Sequence, residues 1–119
     1  TIFADCHRDM KIVREEIFGP VVTVQKFKSG ENCVEEALSI ANDSPYGLMG
    51  GVFSQDKSKA NLVVRKMQCG IVNNNSYGGI FYDSPFGGFK ESGVGRELST
   101  SSIDNFLETK TVIVDCSTP

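Results

Sequence analysis

The sequence has no apolar run of transmembrane length, no cluster of basic residues and no pair of cysteines in the C-x-x-C spacing. The first absence argues against a membrane span, and the N-terminus lacks a signal-peptide pattern. A net charge of −3 with scattered charged residues argues against nucleic acid and anionic membranes as partners. With His7 as the single histidine and no paired cysteines, the sequence predicts no metal site.

The four cysteines, Cys6, Cys33, Cys69 and Cys116, are widely spaced along the chain. Their even number permits disulfides, but nothing in the sequence marks secretion, so free thiols in a reducing compartment are the better interpretation. We therefore expect an intracellular protein, with the cytoplasm as the first choice and the mitochondrion as the alternative.

At 119 residues the chain is long enough for one small domain. Its hydrophobic content of 39% is low and its 12 glycines are many, so its loops need more than local packing to become ordered. The sequence begins with Thr1 instead of methionine, which favours either a processed start or a piece of a longer protein.

Strand and helix patterns alternate over the first two thirds of the chain. Apolar residues at helical spacing predict two helices, with the faces Val34, Ala37, Leu38 and Ala41 in the first and Ala60, Val63, Val64 and Met67 in the second. β-branched residues predict strands at Val21–Phe27, Gly50–Ser54 and Ile71–Asn75. Such short connections favour a parallel α/β sheet, in which ligands gather beyond the carboxyl ends of the strands. The loop after Asn75 is therefore placed for function.

Three positions mark the ends of the two predicted helices. Asn32, followed by Glu35, resembles a capping box at the start of the first helix. Asp56 can cap the second helix through its carboxylate. Gly70 is expected just past the end of the second helix, as the glycine of its C-terminal cap.

The stretch SPFGGFKESGVGRE, Ser84–Glu97, has the glycines of a phosphate-binding loop without the required spacing. Gly88 and Gly93 have the right gap, but Val94 and Gly95 follow where a lysine and a serine or threonine are needed. The dinucleotide pattern fails as well, because its last glycine is replaced by leucine. The better interpretation is a long ordered turn whose glycines permit close approach of the backbone.

The end of the chain predicts a helix over Ser99–Glu108 and a strand over Lys110–Asp115, with Val112 and Val114 on one side of the strand. This strand has no hairpin partner beside it in the sequence. We therefore expect it to pair with a distant segment or with another subunit.

Four motifs occur in the order and spacing of a known family: EEIFGPV from Glu15, ANDSPYGL from Ala41, GVFSQD from Gly51 and SPFGGFKESGVGRE from Ser84. They resemble the C-terminal part of the NAD(P)-dependent aldehyde dehydrogenase superfamily, along nearly all of the chain. The resemblance implies an α/β fold class, with residues 1–98 as the later part of a parallel-sheet catalytic domain and residues 99–119 as a terminal helix and oligomerisation strand. We therefore expect a fragment of a larger fold that forms a homo-oligomer through Lys110–Asp115.

The resemblance also implies roles for particular residues. Glu16 corresponds to the glutamate that hydrogen-bonds the nicotinamide-ribose hydroxyls of NAD or NADP, and Phe18 corresponds to the aromatic residue beside the nicotinamide. Glu97 matches a glutamate that helps to relay protons in some members. The residues implied to line the aldehyde tunnel are Gly79, Ile80, Phe81 and Phe86.

Taken without the resemblance, these residues have other interpretations. Glu15 and Glu16 would both be solvated surface charges, which remains the interpretation for Glu15 in either case. Glu97 would form a structural ion pair with a basic neighbour such as Arg96. Lys90 would be solvated or structural.

Part of the family's catalytic machinery is missing from the sequence. The family nucleophile is a cysteine in a Gly-Gln-x-Cys setting, and none of the four cysteines has that setting. The general-base glutamate and the dinucleotide-binding domain also precede this segment in the family. We expect the upstream part of the same polypeptide to supply them, and we expect the chain alone to be inactive.

The predicted function is therefore oxidation of an aldehyde substrate to a carboxylic acid with NAD or NADP, by the full-length enzyme. Two alternatives stay open. One is a natural truncation that acts as a non-catalytic interaction module, which an upstream Gly-Gln-x-Cys motif would exclude. The other is a CoA-acylating or phosphate-using relative, which the surroundings of the nucleophilic cysteine would distinguish.

Overall fold

The computed structural model describes residues 1–117. In chain order the elements are β1 (Ile2–Phe3), α1 (Lys11–Arg14), β2 (Val22–Thr23), α2 (Cys33–Asn42), β3 (Tyr46–Gly47), β4 (Met49–Val52), α3 (Lys57–Lys66), β5 (Ile71–Asn74), β6 (Phe89–Lys90) and a terminal 3₁₀ helix (Thr100–Phe106). No helix within the described residues is long and apolar enough to cross a membrane.

The parallel unit predicted in the middle of the chain is confirmed. β4 and β5 pair in parallel, from Met49 opposite Ile71 to Val52 opposite Asn74, and α3 is the connection between them. α2 and α3 pack against each other, and α3 lies against both strands. A parallel pair requires a crossover connection of this kind, and the helix shields one face of the two strands.

The predicted single sheet is instead three two-stranded sheets. Of the predicted strand Val21–Phe27 only β2 is formed, and it pairs in parallel with β1, not with β4. The ladder is short because β1 has two residues, although Val24 N–H still donates to the Phe3 carbonyl at 2.8 Å. β3 and β6 form the third pair, which is antiparallel and joins the ANDSPYGL stretch to the glycine-rich turn.

One of the two predicted helix caps forms and the other does not. The Asp56 carboxylate accepts from the backbone N–H of Ser58 at 2.9 Å and of Lys59 at 3.1 Å, as predicted. Asn32 occupies the N-cap position of α2, but its side chain makes no cap hydrogen bond, so the predicted capping box is wrong. Its backbone angles of −95° and 17° lie outside the extended region from which a cap side chain reaches the helix N–H groups.

Gly70 has a different role from the predicted C-terminal cap. α3 ends at Lys66, and Met67 follows it in an extended conformation. A side chain at Gly70 would overlap the backbone carbonyl of Gly87, which lies directly against it. Gly70 is therefore a point of close approach between β5 and the glycine-rich turn.

The described chain has a small core of its own. The buried hydrophobic residues are Cys6, Leu38 of α2 and Ala60 of α3. The accessible surface is 9665 Å², whereas a compact protein of this mass exposes about 6,300 Å². The chain therefore presents apolar surface of the kind that a folded protein ordinarily buries.

The terminal segment differs from its prediction in two ways. The helix is of the 3₁₀ type and spans Thr100–Phe106, and the Ser99 hydroxyl caps it by accepting from Ser101 N–H at 3.3 Å. The predicted strand Lys110–Asp115 pairs with no other strand among residues 1–117. Its expected pairing with another subunit therefore stays a prediction.

Candidate functional site

The two adjacent glutamates of the first motif have different surroundings. Glu15 closes α1: its N–H donates to the Lys11 carbonyl at 2.9 Å, and its carboxylate lies 3.6 Å from the Lys11 ammonium. Glu16 is exposed and forms no ion pair within residues 1–117. The carboxylate that the resemblance assigns to a ribose is thus the one that remains available to accept hydrogen bonds.

Phe18 stands at the tip of a tight turn. The Gly19 N–H donates to the Ile17 carbonyl at 2.8 Å, which makes Phe18 the central residue of a three-residue turn. Its side chain is 96% exposed. Phe18 is therefore not part of the core of the described chain.

A cleft of about 520 Å³ lies between the first motif and the start of β4. Its lining includes Arg14, Glu16, Met49, Cys69 and Ser92, whereas Phe18 lies outside it. Partial burial raises the pKa of the Cys69 thiol, and the nearby positive charge of Lys90 opposes that increase. Cys69 is therefore held in its neutral form, which is a poor nucleophile.

The four residues predicted to face the aldehyde line one cleft. Gly79, Ile80, Phe81 and Phe86 surround about 270 Å³ of space together with part of β5. The loop that carries them leaves the carboxyl end of β5 through Asn75, whose side-chain amide exchanges two hydrogen bonds of 2.8 and 2.9 Å with the backbone of Ser54. The structure thus brings this group together, in a cleft separate from the one that Glu16 lines.

Glu97 and Phe86 lie opposite each other in an antiparallel bridge. The Phe86 N–H donates to the Glu97 carbonyl at 2.8 Å, and the Glu97 N–H donates to the Phe86 carbonyl at 2.7 Å. Directly opposed residues of such a bridge have their side chains on the same face. The geometry therefore places the Glu97 carboxylate on the same face as the ring expected in the tunnel.

Arg96 does not form the ion pair with Glu97 that was the other interpretation of that glutamate. Its guanidinium donates to the carbonyls of Gly88 at 3.0 Å and Gly95 at 2.6 Å, and lies 5.4 Å from the centre of the Phe89 ring. A side chain at Gly87 would lie 2.8 Å from the Arg96 Cδ atom. The glycines of this turn serve close packing around an arginine, in agreement with the ordered-turn interpretation.

Three residues that the sequence had not assigned to the site meet at the turn Asn42–Ser44, which begins with the last residue of α2. Arg14 and Lys90 both donate to this turn, and Asp43 accepts from Arg14. The hydrogen bond from Arg14 is the main reason that the pKa of Asp43 lies below its ordinary value. The sequence shows no signal for this meeting, since the partners are 29 and more residues apart. Of the two expectations for Lys90, the structural one is correct.

Within residues 1–117, no group of histidine, cysteine, aspartate and glutamate side chains is arranged to hold a metal ion. The four cysteines are free thiols, of which Cys6 is buried and Cys116 is exposed.

A model of the aldehyde dehydrogenase family matches residues 1–112 of the chain. An aldehyde dehydrogenase of Aspergillus niger is 50% identical over 112 residues, which are 94% of this chain and 22% of that protein. Betaine aldehyde dehydrogenase of Bacillus subtilis is 44% identical over the same share of each chain. The chain thus spans about a fifth of the length of the curated relatives it matches.

Solved structures show the same relationship. Betaine aldehyde dehydrogenase of Staphylococcus aureus in complex with NAD+ is 44% identical and superposes with a TM-score of 0.84, over 92% of this chain and 21% of that one. A mutant indole-3-acetaldehyde dehydrogenase of P. syringae in complex with NAD+ and IAA is 45% identical, with the same TM-score.

Proposed function

Because the chain belongs to the aldehyde dehydrogenase family, we propose that it is part of an enzyme that oxidises an aldehyde to a carboxylic acid with NAD or NADP. The observation that carries this proposal is the cleft beside β5, which gathers all four residues implied to face the aldehyde. The loop that supplies these residues starts at the carboxyl end of β5, the end at which open α/β sheets bind their ligands.

Glu16 and Phe18 form the proposed nicotinamide side of the site. An ionised carboxylate accepts hydrogen bonds from two vicinal hydroxyls, and Glu16 has no ion pair among the described residues that would compete for it. The exposed ring of Phe18 is a rigid apolar wall against which a planar ring can lie. These residues fit a nicotinamide riboside, which as part of NAD(P)+ accepts a hydride from the substrate.

Phe86 and Glu97 form the proposed substrate side. Phe86 shapes the cleft with Gly79, Ile80 and Phe81. Glu97, on the same face of the bridge, accepts and passes on a proton on the way from the general base to solvent. A backbone bridge with two hydrogen bonds fixes the relative positions of the two Cα atoms from which the carboxylate and the ring extend.

The remaining parts of the proposed enzyme lie outside this chain. None of its four cysteines stands in a Gly-Gln-x-Cys setting, and the exposed apolar surface is available to pack against further protein. We propose that the same polypeptide supplies the nucleophile, the general base and the dinucleotide-binding domain. Residues 1–98 then belong to the catalytic domain, and residues 99–119 serve a homo-oligomer through Lys110–Asp115. The free thiols agree with the proposed intracellular, cytoplasmic location.

The two glutamates provide a matched test of the proposal in the full-length protein. Glu16→Gln keeps the shape of the side chain and removes its charge, and hydrogen bonds to charged groups contribute about 1.5–3 kcal/mol. We expect hydride transfer to become about tenfold slower, with a larger primary deuterium isotope effect from a deuterated aldehyde and an unchanged order of preference among aldehydes.

Glu15→Gln is the control, because it removes only an exposed pair with Lys11 and should be nearly silent. If both variants behave like the wild type, or if Glu15→Gln is the damaging one, the assignment of Glu16 is wrong. If the full-length wild type reduces neither NAD+ nor NADP+ with any aldehyde, the proposed function itself is wrong. The 119-residue chain alone should produce no NAD(P)H above background.

A further inference from the structure

We propose that the turn Asn42–Ser44 is a shared anchor for the two halves of the site, and that Asp43 and Lys90 are positioning residues acting through it. The nicotinamide-side segment, residues 14–18, is attached to one side of this turn, and the substrate-side turn, residues 84–97, is attached to the other. This inference rests on the proposed function, because the two segments are halves of one site only if the chain serves aldehyde oxidation.

The nicotinamide-side attachment is made by arginine. Arg14 Nη1 lies 3.1 Å from Asp43 Oδ1 and 3.1 Å from the Asp43 carbonyl oxygen, so one guanidinium holds both the side chain and the backbone of this residue. Arg8 adds a contact of 2.6 Å to the second carboxylate oxygen. Arg14 is two residues before Glu16, and both line the same cleft. The position of Asp43 therefore constrains the position of Glu16.

The substrate-side attachment is made by lysine. Lys90 Nζ donates to the Asn42 carbonyl at 2.7 Å and to the Ser44 carbonyl at 2.9 Å, one on each side of Asp43. The backbone supports this contact, since Lys90 lies opposite Tyr46 in the pairing of β6 with β3. From Lys90 the chain continues through the glycine-rich turn to Glu97, which bridges back to Phe86.

The turn itself is held firmly enough to serve as an anchor. It includes the C-terminus of α2, where carbonyl groups lack helical partners and a cation is favourable. Asn42 also joins it to the end of α3, because its side chain donates to the Lys66 carbonyl at 3.0 Å and accepts from Gln68 N–H at 2.9 Å. The turn is thus connected to α2 and to the end of α3, and it accepts hydrogen bonds from Arg14 on one side and from Lys90 on the other.

Loss of the contact at one attachment should therefore displace the segment at the other attachment. If Lys90 is lost, the carbonyls beside Asp43 are released, and the contact between Asp43 and Arg14 must readjust. Displacements of this kind in a site for hydride transfer are costly, because the reacting atoms must be held in near-attack geometry. Neither Asp43 nor Lys90 is proposed to touch substrate or cofactor.

The first test uses hydrogen exchange in the full-length protein and needs no activity. Lys90→Met should speed exchange at Glu15 and Gly19, whose amides donate to the Lys11 and Ile17 carbonyls in and beside the nicotinamide-side segment, as well as in residues 84–97. Asp43→Asn should have the reciprocal effect and speed exchange at Phe86 and Glu97. Lys26→Met is the control, because it removes a lysine contact of 2.6 Å to Asp5 that does not involve the turn.

The second test is kinetic. Lys90→Met should lower kcat/KM for both the dinucleotide and the aldehyde, by about 10- to 100-fold, and Lys90→Arg should recover most of that loss because it keeps a cation at the turn. Lys26→Met should change neither value. A residue that served only overall stability would lower the amount of active enzyme and would leave both KM values unchanged.

The outcomes separate this inference from the proposed function. If exchange in Lys90→Met rises only in residues 84–97, or if Lys90→Arg behaves like Lys90→Met, the shared anchor is wrong even when the wild type oxidises aldehydes. If the wild type has no such activity but exchange changes reciprocally in Lys90→Met and Asp43→Asn, the two segments are coupled and the proposed function fails alone.

Discussion

The middle of the chain and its end contain similar β-branched runs, yet only the middle forms a ladder. Ile71–Asn74 pairs along its length with Met49–Val52. Val112, Ile113 and Val114 of the terminal segment are 73%, 91% and 72% exposed and pair with no strand among residues 1–117. An alternation of apolar residues therefore forms a paired strand only where a second strand lies beside it. In the middle of the chain, the crossover helix α3 places β5 beside β4.

The largest expected effect would come from the terminal segment. Val112→Lys with Val114→Lys places two charges on the face that we propose to be covered by another subunit, and we expect the full-length oligomer to dissociate. Sedimentation velocity measures this directly. Thr109→Lys with Thr111→Lys adds the same charge to the other face and should leave the assembly intact. An unchanged oligomer in the valine variant would show that the segment is not at the interface.

The middle unit should be most sensitive where two backbones meet. Gly70→Ala places a methyl group against the Gly87 carbonyl, which is backbone and moves only with its whole turn. We expect a loss of about 1–3 kcal/mol in the free energy of unfolding, as for other overpacked sites, measured by urea unfolding of the full-length protein.

Gly51→Ala, in the strand β4 of the same parallel unit, is the matched control. Its methyl group would lie 3.5 Å from the Asn73 carbonyl oxygen, which is an ordinary contact. We expect it to change stability by less than about 0.5 kcal/mol. Equal losses in the two variants would contradict the role of Gly70 as a point of close approach.

A smaller effect distinguishes the two helix starts of the middle unit. Asp56→Ala removes two cap hydrogen bonds to α3 and should cost about 1 kcal/mol of unfolding free energy. Asn32→Ala should be nearly neutral, because the Asn32 side chain makes no cap bond to α2. Chemical denaturation of both variants checks the pair, and a larger loss for Asn32→Ala would restore the predicted capping box.

The smallest expected effect is on the acid dependence of stability, where Asp43 in the middle of the chain is compared with Asp115 at its end. The hydrogen bond from Arg14 lowers the pKa of Asp43 in the folded chain. A lowered folded pKa means that the stabilisation is complete above the ordinary value of 3.8 and is lost as pH falls through the folded value. Asp43→Asn should therefore reduce the loss of stability at acid pH, the acid limb of the profile of stability against pH. Thermal unfolding measured between about pH 5 and 2 checks this.

Asp115 is the comparison for that measurement. Its pKa is lowered first by the hydroxyl and then by the backbone N–H of Ser117, a neighbour two residues away in the chain. Because so local a contact also forms in an unfolded chain, Asp115→Asn should leave the acid limb unchanged. An acid limb that flattens in Asp115→Asn but not in Asp43→Asn would contradict the anchoring of Asp43 by arginine.

Much of the site was predictable because its signals are short. The four ordered motifs were sufficient to identify the family that the comparison with known proteins shows. The loop beyond β5 was predicted from the alternation of strands and helices, and the structure places its four implied aldehyde-facing residues in one cleft. The roles of Glu16, Phe18, Glu97 and Phe86 stay predictions that the experiments above can decide.

The sequence by itself determined the features that neighbouring residues control: the presence of α2 and α3, the Asp56 cap, and the parallel pair that α3 connects. Only the tertiary structure decided which strand joins β2, why Gly70 is a glycine, and that Arg14 and Lys90 meet at Asp43 and its neighbours. The physical reason is range. A cap or a helical period depends on residues within a turn of the chain, whereas these contacts join segments up to 48 residues apart and form only once the elements have packed.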